Sequence, residues 1–263
     1  MCFELNAEPP VASNAGAARG EDLVLNSADG TRFAAYAAHA GSPRGAGIVI
    51  LPDVRGLFRF YKELALRFAE AGVEAVAIDY FGRTAGLTAR DEQFESMPHV
   101  MQTRQETLAA DVAAAVAYLR GLPNAPRSIF TVGFCFGGST SFHQAANKHG
   151  LAGVIGFYGN PIGPSRIGGL PPIERVGEFS CPVLGLFGGA DAGIPPESVQ
   201  QFDLALTHAR VEHELVTYPG APHSFFDRTQ EKYATESADA WQRMLVFIAA
   251  HTEASPQAGS EVP

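Results

Sequence analysis

Short apolar runs alternate along this chain with longer stretches in which apolar residues return every three or four positions. The runs at 47–51, 73–78, 129–134, 153–158, 183–187 and 215–218 are too short for helices and carry few polar residues, so they predict buried strands. Between them Phe60, Leu64 and Phe68, then Leu108, Val112, Val116 and Leu119, and finally Trp241, Leu245 and Ile248 recur at helical spacing. Earlier, residues 23–25 and 33–36 flank the turn pair Asp29-Gly30, which predicts an antiparallel hairpin. Regular alternation of strand and helix implies an α/β fold: a mostly parallel central sheet with helices on both faces. Ligands of such sheets bind at the carboxyl ends of the strands. Five predicted strand ends carry chemically useful residues there: Pro52-Asp53, Asp79-Tyr80, Cys135, Asp191 and His223.

Composition narrows what this fold does. With 263 residues and 46% hydrophobic side chains the chain is large enough for one sizeable core, since α/β folds of about 200–250 residues commonly form a single unit. Residues 1–20, rich in Ala, Gly and Pro, predict a flexible N-terminal segment, 21–252 the domain, and 253–263 a disordered tail. Lys and Arg number 19 against 28 Asp and Glu, a formal net charge of -9. That balance argues against nucleic acid or an anionic membrane surface as partner. The opening MCFELNAEPP lacks the basic flank and apolar run of a signal peptide, and no stretch reaches the roughly 20 apolar residues that span a bilayer. A cytoplasmic setting is the default, where a free thiol survives. Three cysteines, Cys2, Cys135 and Cys181, form no CxxC pair, so neither a disulfide framework nor a zinc site is expected. No metal, nucleotide or other cofactor is expected, because ligand-spaced His and acidic clusters and Gly-rich phosphate loops are missing from the sequence. Monomer is the default assembly.

The densest candidate chemistry lies at 133–138, Gly-Phe-Cys-Phe-Gly-Gly, between a predicted strand and a helical stretch at 139–148. A sharp strand-to-helix turn needs small neighbours, and Gly133 and Gly137 provide them, so the pattern reads as a nucleophile elbow with sulfur in place of oxygen. The following helix would point its N-terminus at Cys135 and favour the thiolate, and the N–H of Phe136 would face an oxyanion. Taken alone, the motif also fits a buried, inert thiol, and Cys181 reads that way. Asp191 lies in Gly-Gly-Ala-Asp-Ala-Gly after one strand, and His223 in Gly-Ala-Pro-His-Ser-Phe-Phe after the last. The order nucleophile, acid, histidine is that of α/β-hydrolases. In this scheme His223 takes the thiol proton and Asp191 fixes its tautomer.

With these residues in view the chain resembles the dienelactone hydrolase (carboxymethylenebutenolidase-like) family, over about residues 47–248. ILPDVRGL, AIDYFGRTAG, GFCFGG, GFYG, FGGADAGIP and PGAPHSFFDR carry the resemblance, and MCFELNAEPP resembles an N-terminal extension of one branch. The resemblance implies Cys135, Asp191 and His223 as catalytic residues and the N–H of Val54 as a second oxyanion donor. It implies Asp53, where better-known members have Glu, as a partner of the resting thiol. It implies Arg83 and Arg228 as ligands of a substrate carboxylate, with Arg228 one residue further from the histidine than usual. Arg55 and Arg59 lie near the same strand end; Tyr80 and Tyr158 are candidates for pocket lining or packing.

The expected activity is hydrolysis of small esters or lactones through a thioester acyl-enzyme. An acyltransferase on the same fold and a non-catalytic thiol redox sensor are the competing readings. Segments 84–100 and 160–176 are the expected lid or rim.

Overall fold

A computed structural model of the chain describes residues 7–10, 16–163 and 167–254. Eight strands follow in order as β1 (Ala18–Asn26), β2 (Arg32–Ala40), β3 (Ala46–Leu51), β4 (Val73–Ile78), β5 (Ser128–Phe134), β6 (Gly153–Phe157), β7 (Val183–Gly188) and β8 (His213–Tyr218). Helices are α1 (Arg59–Glu70), α2 (Gly82–Ala85), α3 (Met97–Val100), α4 (Gln105–Arg120), α5 (Phe136–Gln144), α6 (Pro196–His208) and α7 (Ala234–Ala250). A 3₁₀ turn (Pro172–Glu178) sits in the segment expected to form part of the rim.

The strands form one sheet in the order β1-β2-β4-β3-β5-β6-β7-β8. β1 and β2 are antiparallel and the remaining strands parallel. β3, β4, β5, β6 and β7 are buried along their whole length, because helices cover them. α1 and α7 meet through Phe68 and Trp241, whose rings lie 4.9 Å apart. α5 and α6 meet through Phe142 and Phe202 at 5.2 Å. The strand order reverses at β3: its helix α1 leads to β4 on one side, and β5 adds on the other. Such a switch point opens a crevice at the carboxyl ends of the two strands, here between Pro52 and Cys135.

Both termini of the domain are tied down further out than composition implied. β1 starts at Ala18, inside the segment read as flexible, and Gly16 N–H donates to the Glu70 carbonyl at 2.9 Å. Ala7 is buried as well. The rest of MCFELNAEPP before residue 7 lies outside the described residues. At the other end, Glu253 N–H donates to Ser128 Oγ at 2.9 Å, and its carbonyl accepts from Arg127 Nε at 3.0 Å; residues 255–263 lie outside the described part. No helix among the described residues is long and apolar enough to cross a membrane.

Aromatic rings fill the space beneath the crevice. Phe134 stacks on Phe157 (4.8 Å) and on Phe226 (5.7 Å), while Phe60 and Tyr61 of α1 approach it at 6.5 and 5.6 Å. This cluster joins α1, the ends of β5 and β6, and the loop after β8. Truncating Phe226, fully buried at its centre, should cost about 3–5 kcal/mol; chemical denaturation of Phe226→Ala would show a lowered midpoint, and an unchanged one would contradict this packing.

Candidate active site

Cys135 follows β5 directly and has φ 55 and ψ -111, a left-handed conformation that costs a non-glycine residue on the order of 1–3 kcal/mol. Two glycines make the turn possible. A Cβ on Gly133 would lie 1.9 Å from the Gly137 carbonyl oxygen; one on Gly137 would lie 2.1 Å from that of Leu51 and 2.3 Å from that of Pro52. A buried bond of 2.7 Å between Thr131 and Ser141 locks strand to helix. The thiol thus stands at the N-terminus of α5, partly exposed, with the β3 end beside it.

His223 comes from the loop after β8 and Asp191 from the loop after β7. His223 Nδ1 bonds Asp191 Oδ2 at 2.6 Å, and Asp191 Oδ1 accepts the Gly193 N–H at 2.8 Å. The imidazole and Cys135 line the same cavity. Burial disfavours the imidazolium, yet its bond to Asp191 and its interaction with Cys135 outweigh that cost and raise its pKa to about 10. The Tyr158 ring packs on the imidazole at 5.0 Å. Cys135, Phe136, Tyr158 and His223 line a cavity of about 320 Å³ together with Ser139, Thr140, Asn160, Ile167 and Ile194. Cys181 is buried elsewhere, its thiol pushed up to about 12 by burial alone.

The acidic and basic candidates sit differently from the resemblance's implications. Asp53 is completely buried, and its carboxylate is held by arginines rather than directed to the thiol. Arg55 Nε reaches both oxygens at 3.0 Å, the Arg55 N–H reaches Oδ1 at 2.9 Å, and Arg228 Nε and Nη2 both bond Oδ2, the former at 3.0 Å. Burial alone would push this carboxyl up, but Arg55 and Arg228 hold it below the usual range. Arg228 is thereby paired with a protein carboxylate instead of lining the cavity. Arg83 lies apart from the cavity: it grips Asp111 with Nη1 and Nη2 (2.6 and 2.9 Å), Asp29 with Nε (2.9 Å) and Ser27 Oγ (3.0 Å), tying α2 to α4 and the β1–β2 turn. Tyr80 donates to the Pro52 carbonyl at 2.8 Å and packs on Phe136 at 5.3 Å. The strand-end residue Asp79 is structural: it binds Arg90 through two bonds, at 3.0 and 2.9 Å, and anchors the 84–100 segment. Arg59 pairs only loosely with Glu63.

Two residues of this region carry no strong sequence signal. Asp227 is fully buried and accepts from Tyr158 Oη at 2.6 Å and Tyr61 Oη at 2.7 Å. Tyr61 falls in the apolar stripe of α1 and reads as plain core. Asp227 lies four residues after His223, and that position was the only available hint. Among the described residues no group of three His, Cys, Asp or Glu side chains is placed to hold a metal.

An eight-stranded, mostly parallel sheet with flanking helices and a residue on a strained strand–helix elbow at its switch point defines an α/β-hydrolase. The profile of the dienelactone hydrolase family matches residues 33–252, and the chain belongs to that family; it is a hydrolase of the dienelactone hydrolase kind. A "Putative carboxymethylenebutenolidase" of Yersinia pestis is 29% identical over 210 residues, covering 78% of each chain. Another, from a Synechocystis strain, is 30% identical over 207 residues, 75% of this chain and 82% of its own. The crystal structure of a "Putative Dienelactone Hydrolase" from Klebsiella pneumoniae superposes with a TM-score of 0.78 at 26% identity, covering 89% of this chain and 99% of that one.

Two outcomes follow from this geometry. Gly137→Ala would drive a methyl group into two backbone carbonyls, so thermal unfolding should occur well below wild type, with a cost of about 1–3 kcal/mol or more; a wild-type midpoint would contradict the close approach. His223, raised from an unfolded value near 6.5 to about 10, holds its proton more tightly when folded. Its stabilisation is therefore complete below about pH 6.5 and lost as pH rises through about 10. Asp191→Asn removes a main source of that shift, so NMR titration should move the His223 midpoint back towards 6.5; an unmoved midpoint would contradict the assignment.

Proposed function

We propose that the protein hydrolyses small esters or lactones with Cys135 as nucleophile, His223 as acid and base, and Asp191 as the group that orients His223. The observation that carries the reading is the 2.6 Å bond from His223 to Asp191, with the same imidazole lining one cavity with a cysteine on a strained elbow. The Cys135 thiolate attacks the carbonyl carbon and the C–O π electrons move to oxygen. The resulting oxyanion takes hydrogen bonds from the N–H groups of Phe136 and Val54. Among the described residues neither of these groups donates to a backbone carbonyl, so both remain available. Collapse breaks the bond to the leaving oxygen, which takes the proton of the His223 imidazolium, and a thioester remains. Neutral His223 then removes a proton from water, hydroxide adds to the thioester, and thiolate leaves as the acid forms. Asp191 stays ionised and steadies each imidazolium.

The cavity wall supports a small, largely apolar acyl or alcohol group, with Ser139, Thr140 and Asn160 as its polar points.

Turnover of p-nitrophenyl acetate tests the reading. Cys135→Ala should lose essentially all activity, and equal rates in variant and wild type would sink the catalytic assignment. Cys135→Ser should fold normally and lose about 10²-fold or more, because a hydroxyl starts protonated and faces an imidazole that Asp191 keeps in its acid form. Near-wild-type turnover of the serine variant would contradict the thiolate mechanism.

A further inference from the structure

The turn between β3 and α1 is held by more hydrogen bonds than its shape requires. Tyr80 fixes the Pro52 carbonyl, and Arg55 and Arg228 fix the Asp53 carboxylate. The Asp53 N–H donates to Tyr61 Oη at 3.0 Å, and Tyr61 Oη donates in turn to Asp227 Oδ2 at 2.7 Å. Asp227 Oδ1 accepts from Tyr158 Oη at 2.6 Å, and its other oxygen meets Arg55 Nη2 at 3.5 Å. A phenol has one proton. Tyr61 gives its proton to Asp227, so a lone pair is left facing the Asp53 N–H, and the run amide, phenol, carboxylate has one direction. Burial first, then Asp227, pushes both tyrosines well above their ordinary values, so both stay protonated donors.

Packing gives no reason for these hydroxyls. The Tyr61 ring lies among Phe60, Phe134 and the aromatic cluster, where phenylalanine would fill the same space. Buried charge and its partners usually cost more than an apolar replacement, so the arrangement points to a positional role. The Val54 N–H lies one residue beyond the anchored Asp53 N–H, and a misplacement of about 1 Å at a reacting centre costs up to about 10²-fold in rate.

We propose that Asp227 is a positioning residue that acts through Tyr61 to set the peptide carrying the Val54 N–H where the oxyanion forms. This rests on the oxyanion role given above to Val54. Tyr158, on the other oxygen of the same carboxylate, ties that setting to the end of β6 beneath His223.

Two rates separate the role from general stabilisation. Hydrolysis of p-nitrophenyl acetate develops an oxyanion; alkylation of Cys135 by iodoacetamide does not. Tyr61→Phe and Asp227→Asn should each lower kcat about tenfold with KM little changed, part of the ~10²–10³ lost when a donor is deleted outright. The double variant should be no slower than the slower single one. The rate–pH profile of Cys135 alkylation should keep its shape and height in both. Ester turnover unchanged in Tyr61→Phe would overturn the proposal, and so would alkylation falling in step with it, or losses that multiply in the double variant. Tyr61→Phe keeps the test decisive should Asp227→Asn not fold. Cys135→Ala as active as wild type would instead remove the catalytic reading itself, an outcome distinct from all of these.

Discussion

Backbone packed against backbone is the constraint on which this site depends. At Gly137 the first turn of α5 presses on the carbonyls of Leu51 and Pro52, and at Gly133 the strand presses on the helix it feeds. With no side chain between them, β3, β5 and the start of α5 come close enough for Cys135 to leave the sheet in a left-handed conformation. The same approach carries the β3–α1 turn to the thiol. Strand ends that would otherwise be separated by a layer of side chains thus share one crevice at the switch point of the sheet.

Around that contact the protein places charge where it is expensive. Asp53 and Asp227 are fully buried and face Arg55 and Arg228, so two acids are balanced by two guanidinium groups. Each ion loses several kcal/mol of solvation on burial, and attraction in the interior returns it only with good geometry and further hydrogen bonds. Those bonds come from Tyr61, Tyr158 and the backbone of the β3–α1 turn. The cluster therefore links three strand ends in fixed geometry. Asp53 fits this cluster: its short side chain accepts from Arg55, from Arg228 and from the Arg55 N–H.

His223 and Asp191 form a second electrostatic unit with the opposite bias. The imidazole is partly open to the cavity, and its bond to the Asp191 carboxylate favours the protonated form against burial; the other carboxylate oxygen accepts the Gly193 N–H.

Much of this architecture is legible in the chain because its signals are local. Six apolar runs become strands: five are buried along their whole length, while the sixth, expected to be buried, forms β8 at the edge of the sheet with only Tyr218 buried, because no strand pairs with its outer side. Cys135 follows such a run directly, Asp191 and His223 stand a few residues beyond theirs, and the parallel sheet brings the ends of β5, β7 and β8 to one edge. Boundaries are less legible: β1 begins at Ala18 because pairing with β2 and the Glu70 carbonyl holds residues whose composition alone implies a loop. Partners of the charged residues are not legible at all. Asp53 meets Arg228 across 175 positions, and Arg83 meets Asp111 across 28. A charged side chain takes whichever opposite charge the fold brings within reach, and motif matching carries no information about that competition. The sequence by itself determined the strand–helix alternation, the glycine-flanked elbow and the chain order of Cys135, Asp191 and His223, because each depends on neighbours a few positions away. Only the tertiary structure decided which acid faces which arginine, and that a tyrosine in an apolar stripe braces the turn beside the thiol, because those depend on distances through space.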